Sequence, residues 1–541
     1  MLRFSLQVLG LALLLCLVVP TLAYILIRQR AEYHLKTIAG PAGNLLTGIG
    51  ISLPYRAHNV MRQWAVEYGE LFRIRVGWYN WVVVNSAEAM KEIFDKQSSS
   101  TSSKVPAPIG HDIIAGGMRM FTMPYGPKWR AYRTISHQLL SPKMTATFLP
   151  CQAFEIKQLV HDLAHSKTPE IDPHEHIRRA SFSIMMTATY GRRIPTWDHE
   201  DVHHMLKGRQ ILGKISRPGA FIEDEIPLFA LLPTWLQPSM KTATQLAVPV
   251  HAAKMRLWNI LKKQDSEKAA PPCFGRELMT SEFKAQGLTE EDAAWIASGL
   301  VEVGSETTSI TLTNLILYLA ANPHTQVQAI AELSKVVGDD RMPLFEDVAR
   351  LPYIRGCVKE MLRLHPIPTW GLKHYTDGDI VYKGQVIPKG TVVLGNTWAV
   401  HYDSSRYPDP TAFRPERYVN HDKYSAEYAA MSDPLQRDHY AFGAGRRICP
   451  GSRLAENTLD LALANILWAF EIKPPTDGVE IDLTDDAWEE TAFRPPKPFK
   501  VRFVPRYAKR RRLLDEAWAS AKEQGYVLKG VHIDEQGASV V

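Results

Sequence analysis

Three glycines fall within ten residues at Phe442-Gly443-Ala444-Gly445-Arg446-Arg447-Ile448-Cys449-Pro450-Gly451, and glycine lets a backbone turn tightly enough to approach a flat ligand. The single cysteine of that stretch points its sulfur at whatever the loop cradles. A free thiol ionises near ~8.5, and a metal, backbone donors or the positive end of a helix holds it as thiolate. Apolar positions at Leu454, Ala455, Leu459, Ala462 and Ile466 predict a helix starting at Pro450 and running toward Phe470. Cys449 would then stand at a helix N-terminus. These features make Cys449 a candidate axial ligand of a haem iron, with Phe442 covering the sulfur and Arg447 paired with a haem propionate. A buried structural cysteine in a glycine-rich loop is the plainer alternative.

A second set of reactive residues lies inside a helical run. Thr289-Glu290-Glu291-Asp292 offers a capping box and Asn322-Pro323 a stop, which predicts a helix of about 33 residues, on the order of 50 Å long. In its middle stand Gly304, Ser305, Glu306, Thr307 and Thr308, residues that weaken a helix where a core helix should be strongest. Local inconsistency of that kind marks functional sites. Cleaving an O–O bond requires a hydroxyl close to the oxygen and an acid connected to solvent. Thr307 and Glu306 suit those roles; a polar kink packed on a neighbouring helix is the alternative. Elsewhere, Trp129 and Arg133 share a helix face at i and i+4, as Glu360 and Arg363 do at i and i+3. Taken alone, the first is an ordinary surface cation–aromatic pair and the second a solvated ion pair.

The pattern Phe-x-x-Gly-x-Arg-x-Cys-x-Gly, matched at Phe442, Gly445, Arg447, Cys449 and Gly451, resembles the haem-binding signature of the cytochrome P450 family. That resemblance implies haem b with Cys449 as its thiolate metal ligand, a ligation that favours O–O cleavage. Val303-Gly304-Ser305-Glu306-Thr307-Thr308 resembles the family's oxygen-binding motif, with Val303 in place of the usual small residue. Its extra bulk would narrow the space over the haem. Trp129-x-x-x-Arg133 resembles the family's pair that reaches a haem propionate, and His374 falls where many relatives carry an arginine for the same purpose. A surface histidine is the alternative for His374. Phe413-Arg414-Pro415-Glu416-Arg417-Tyr418 resembles another family element, Tyr418 replacing a phenylalanine. By resemblance, Arg417 joins Glu360 and Arg363 in a buried network, and residues Leu206 to Leu246 roof the substrate cavity.

The resemblance covers roughly Leu35 to Pro505. It implies a monooxygenase that inserts one oxygen atom from O2 into a small organic substrate. Electrons would come from NADPH through NADPH-cytochrome P450 reductase, with cytochrome b5 a second candidate donor. The region of His374 and residues Asn396 to Tyr418 look like fungal specialised-metabolism members. A haem-thiolate isomerase or dehydratase would use the same Cys449 without the Glu306–Thr307 pair, and a non-enzymatic haem sensor or carrier would need neither that pair nor a roof.

These residues must be positioned by a large scaffold. The 541 residues show no internal repeat and no Gly/Ser-rich linker beyond the first fifty or so. The expected fold class is mainly α with a small β-rich subdomain, a cytochrome P450 fold preceded by one transmembrane helix. The scattered cysteines Cys16, Cys151, Cys273, Cys357 and Cys449 form no CxxC pair, which argues against a disulfide scaffold or a zinc site. A net charge of +6 without a basic, aromatic-interleaved stripe gives no sign of nucleic-acid binding. It is compatible with an acidic electron-transfer partner or anionic lipid.

Phe4 to Ile27 is an uncharged apolar run, long enough to cross ~30 Å of hydrocarbon and too long for a typical cleaved signal. Arg28, Arg30 and Lys36 behind it favour a cytosolic C-terminal domain on a single-pass endoplasmic reticulum anchor. The chain therefore divides into an anchor (1–30), a hinge (31–54), the haem domain (55–505) and a charged tail (506–541). That tail reads as a solvated helix with a frayed end.

Overall fold

The computed structural model describes residues 33–44, 48–50, 52–215 and 219–540. The expected anchor, 1–30, lies outside the described residues; among those described, no helix is long and apolar enough to cross a membrane. Helix α1 (Ala57–Tyr68) ends at Gly69, whose φ of 89° turns the chain into β1 (Leu71–Val76). β1 pairs antiparallel with β2 (Tyr79–Val84), from Leu71 opposite Val84 to Val76 opposite Tyr79. The segment read as a hinge is docked on this hairpin. Leu35 and Ile38 are buried, and a Cβ on Gly40 would lie 1.9 Å from the Arg73 carbonyl oxygen, so only glycine permits the contact.

The stretch Ser98 to Pro127, rich in Ser, Gly and Pro, contains helical turns at Ser98–Thr101 and Pro108–Ile113. It leads into α2 (Pro127–Leu139), the helix of Trp129 and Arg133. Helices α3 (Leu149–Ala164) and α4 (His174–Tyr190) follow. Helix α5 (Glu290–Ala321) is closed by the Thr289–Asp292 capping box and is buried over most of its length, as a helix through the centre of a large domain must be. It packs on α4, where Met185 Sδ would lie 2.8 Å from a Cβ on Gly304.

Helix α6 (Pro352–Leu364) precedes β3 (His374–Tyr375) and β4 (Val392–Gly395). β4 adds parallel to β2 and β3 antiparallel to β4, giving the order β1-β2-β4-β3. The β-rich patch is thus completed by strands far along the chain. Helix α7 (Ser452–Ala469) begins two residues later than the expected start at Pro450, because Gly451 is its N-cap. Residues of α3, α5, α6 and α7 share one apolar core that includes Leu159, Leu315, Met361 and Ile466.

The tail is ordered and docks one face on the domain, instead of being a wholly solvated helix with a frayed end. Helix α8 (Ala508–Gln524) buries Arg510, Leu514, Trp518 and Ala521, a stripe at helical spacing. Three short strands follow, Tyr526–Leu528, Val531–Ile533 and Ser539–Val540, paired antiparallel. Phe154 of α3 packs edge-on against Trp518 and tilted against Tyr526, with ring centroids 5.3 and 5.0 Å apart. Buried Arg193 donates to Glu155 Oε1 at 2.7 Å and to the Glu535 carbonyl. The basic run Lys509 to Arg512 reads as solvated, yet its Arg510 donates to the Trp468 carbonyl at 2.7 Å and pairs with Asp339.

The expected Glu360–Arg363–Arg417 network is present. Arg363 Nε and Nη2 each donate to Glu360 at 2.7 Å, and Arg417 Nε donates to Glu360 Oε1 at 3.2 Å. Arg363 Nη1 donates to the His401 and Pro410 carbonyls, both at 2.8 Å. Glu360 and Arg363 are fully buried, so losing the acid leaves an uncompensated cation. Glu360→Ala should lower the free energy of unfolding by ~3–5 kcal/mol, read from urea denaturation followed by tryptophan fluorescence. A loss below ~1 kcal/mol would assign the pair no structural role.

Candidate active site

The loop before α7 is shaped by glycines where a side chain cannot fit. Gly443 and Gly445 adopt φ of 77° and 63°, and a Cβ on Gly445 would lie 2.0 Å from the Phe94 carbonyl oxygen. The Gly445 N–H donates to Asp95 Oδ1 at 2.7 Å, and the Cys449 N–H to the Phe442 carbonyl at 2.8 Å. The sulfur is therefore carried on a loop pinned at both ends. Cys151, Cys273 and Cys357 are buried, whereas Cys449 is only partly so. Burial pushes the Cys449 thiol up from its ordinary value, while the Gly451 N–H, the Arg133 guanidinium and the Ser452 N–H act toward thiolate.

Around this loop the fold gathers cations. Trp129 and Arg133 are both buried on α2, which removes the surface-pair reading. Arg133 donates to the Ile448 carbonyl, next to Cys449, and to His137 Nε2 at 2.8 Å. The Arg447 guanidinium stacks 4.2 Å from the centroid of the Trp129 ring. It donates to the carbonyls of Ser102, Met120 and Met123 at 2.7, 3.1 and 2.6 Å. His374 is buried and not a surface residue; its Nδ1 donates to the Thr101 carbonyl at 2.6 Å. Phe442 packs near His439, ring centroids 5.6 Å apart.

Lys104 joins this group, although its place in a serine-rich stretch gives no sequence signal for it. Its Nζ donates to the Lys373 carbonyl at 2.9 Å. Burial, then Arg447 and Lys373, push the Lys104 amine well below its ordinary value. Burial and the neighbouring Arg133 bring Arg447 down to about 9, and burial brings Arg133 down to about 10. Burial and Lys104 likewise hold His374 well below its usual range. Asp377 is the one acid that raises Arg447. Among the described residues, no carboxylate is hydrogen-bonded to Lys104, Arg133, His374 or Arg447. The buried Trp129 Nε1 has no hydrogen-bond partner. A buried cluster of donors short of anions fits a planar group that carries carboxylates, as haem does.

The middle of α5 supplies a second face, on a helix that packs against α7. Val303 is 46% exposed on a helix buried over most of its length. Thr307 Oγ1 donates to the Val303 carbonyl at 3.0 Å, which leaves the lone pairs of its oxygen able to accept. Ser305, Ser309 and Thr311 bond back to the helix in the same manner. The hydroxyls are thus satisfied locally, and Gly304 leaves room for the Met185 side chain. Glu306 is half-buried. One turn earlier, Glu302 is engaged by Lys254 Nζ at 3.0 Å with Arg119 at 4.0 Å.

Residues 39–503 match the family model described as "Cytochrome P450". The cytochrome P450 monooxygenase pgmC of Aspergillus terreus is 49% identical over 513 residues, covering 94% of this chain and 93% of that protein. The cytochrome P450 monooxygenase verL of Clonostachys rogersoniana is 36% identical over 467 residues, covering 86% of each.

A test of the loop follows from its pinned cysteine. Reduced protein under carbon monoxide should show the strongly red-shifted Soret band of thiolate ligation, and Cys449→Ala should abolish it. An unchanged spectrum in the variant would remove Cys449 from the site.

Proposed function

This chain belongs to the cytochrome P450 family, and from that premise we propose that it inserts one oxygen atom from O2 into a small organic substrate, drawing electrons from NADPH through NADPH-cytochrome P450 reductase. Members of the family use haem b with an axial cysteine thiolate and work with redox-partner reductases. When bound, the haem supplies the iron at which dioxygen is activated. Cys449 would hold that iron as thiolate, aided by the N–H groups of Gly451 and Ser452. Trp129, Arg133 and Arg447, with Lys104, would donate to its propionates, His374 would do so through Nε2 once protonated, and Phe442 would flank the sulfur.

The observation that carries the monooxygenase reading is the Glu306–Thr307 pair beside the exposed Val303. Thr307 Oγ1, its hydrogen already directed to a backbone carbonyl, accepts from a water and holds it in place. Glu306 returns the proton that water gives up and is recharged from solvent. Glu302, one turn earlier, is engaged by Lys254. An isomerase, a dehydratase or a haem carrier would have no use for such a pair. The fungal origin of similar monooxygenases supports a role in fungal specialised metabolism. The apolar run within 1–30 supports a single-pass anchor in the endoplasmic reticulum membrane with the haem domain in the cytosol. The exposed Leu231, Trp235 and Leu236 offer a second lipid contact, and cytochrome b5 is a second candidate donor.

Thr307→Ala should leave haem and substrate binding intact while peroxide release rises and product falls. General acid–base contributions of ~10²–10⁴-fold set the scale of the loss. Glu306→Gln should act in the same direction. Full product yield per NADPH oxidised in both variants would refute the proton-relay role. Deleting residues 1–30 should convert the protein from detergent-extractable to largely salt-extractable with its haem retained. If detergent is still needed, the Leu231–Leu236 contact is the one to mutate next.

A further inference from the structure

We propose that His161, His165 and Asp515 bind one divalent transition-metal ion of the zinc class, which ties the C-terminal segment to α3. His161 lies in the last turn of α3 and His165 caps its C-terminus, and Asp515 approaches them from α8, beyond the residues matched to the family. One ligand atom from each lies within 4.8 Å of the other two. The absence of paired cysteines argues only against cysteine-based zinc sites, and this cluster contains none.

The hydrogen bonding leaves a cation to be supplied. His165 Nδ1 donates to the His161 carbonyl at 3.0 Å, so the neutral ring carries its lone pair on Nε2. That nitrogen faces Asp515 Oδ1 at 3.4 Å. Two acceptors opposed at this distance need a proton or a metal ion between them. Asp515 Oδ1 is buried without a hydrogen-bond partner. The two imidazoles are stacked, centroids 4.0 Å apart and 28° from parallel, so both present their edges to the same space.

The surroundings are those of a metal site. Arg511 lies 3.5 Å from Asp515 Oδ2, leaving Oδ1 for the cluster. Asp162 Oδ1 lies 3.7 Å from His161 Nδ1, where it can orient that ring, as carboxylates beside ligating histidines do. The side chains of His165 and Asp515 are 40% and 42% exposed, giving an ion a path in and room for a water as fourth ligand. Two imidazoles and one carboxylate select zinc, nickel or copper over magnesium or calcium. Tetrahedral zinc places its ligand atoms about 3.3 Å apart, so side-chain rotation of about an ångström closes the site.

The test uses full-length, untagged, haem-loaded protein, stripped with a chelator and titrated with zinc chloride alone at neutral pH. Calorimetry should report one saturable site in the micromolar range or tighter, and zinc should raise the midpoint of thermal unfolding. His165→Gln and Asp515→Asn, both at partly exposed positions, should weaken binding at least about tenfold and cancel the thermal shift. Their haem content and carbon monoxide spectra should match the wild type, which certifies folding. Wild-type protein that binds zinc only at millimolar concentration would overturn the proposal. So would binding of equal affinity in both variants. Either result would make the cluster a plain imidazolium–carboxylate ion pair.

Discussion

A guanidinium ion taken out of water needs either a carboxylate or enough carbonyl oxygens to replace its hydration, and the way this chain meets that demand separates scaffold from site. Arg363 and Arg193 are buried against the carboxylates of Glu360 and Glu155, which also take Arg417 and Arg179. Arg133 is buried as well and Arg447 half-buried, but protein carbonyls and a histidine nitrogen take their N–H groups. The scaffold gives its buried arginines carboxylates. The loop around Cys449 stays electropositive and holds its cations ready for an anionic partner.

Helix α5 reconciles two demands that conflict in most helices. It must cross the core, and it must present polar atoms in its middle. Back-bonding of Ser305, Thr307, Ser309 and Thr311 to the helix carbonyls satisfies hydroxyls that would otherwise be costly to bury. Gly304 lets Met185 of α4 approach, so the two helices lock where the polar turn is otherwise weakest. The precision of the turn carrying Glu306 and Thr307 therefore comes from packing on the opposite face.

Features set by short-range chemistry were legible in the sequence. The capping box and Asn322-Pro323 place α5 within a residue of its observed ends, and the Trp129–Arg133 spacing places both on one buried face. What depends on tertiary pairing was not legible. Nothing local says that β4 pairs with β2, because that register is fixed by a partner remote in the chain. Lys104 looks like any loop lysine until Arg447 is folded beside it. The C-terminal segment misleads for a different reason. Leu514, Trp518 and Ala521 carry helical spacing, but the basic run before them dominates the composition, and burial of Arg510 is set by the Trp468 carbonyl and Asp339.

The docking of α8 and its three strands onto α3 has a consequence for biosynthesis. Phe154, Glu155 and Arg193 are translated long before Trp518, Tyr526 and Glu535, the residues that complete their surroundings. During elongation the outer face of α3 is an uncovered apolar surface beside a buried-type ion pair, the kind of surface that recruits chaperones or a neighbouring nascent chain. The haem domain thus reaches its finished exterior only when the segment beyond Pro505 has been made, and ribosomes stalled before that point would display a sticky intermediate.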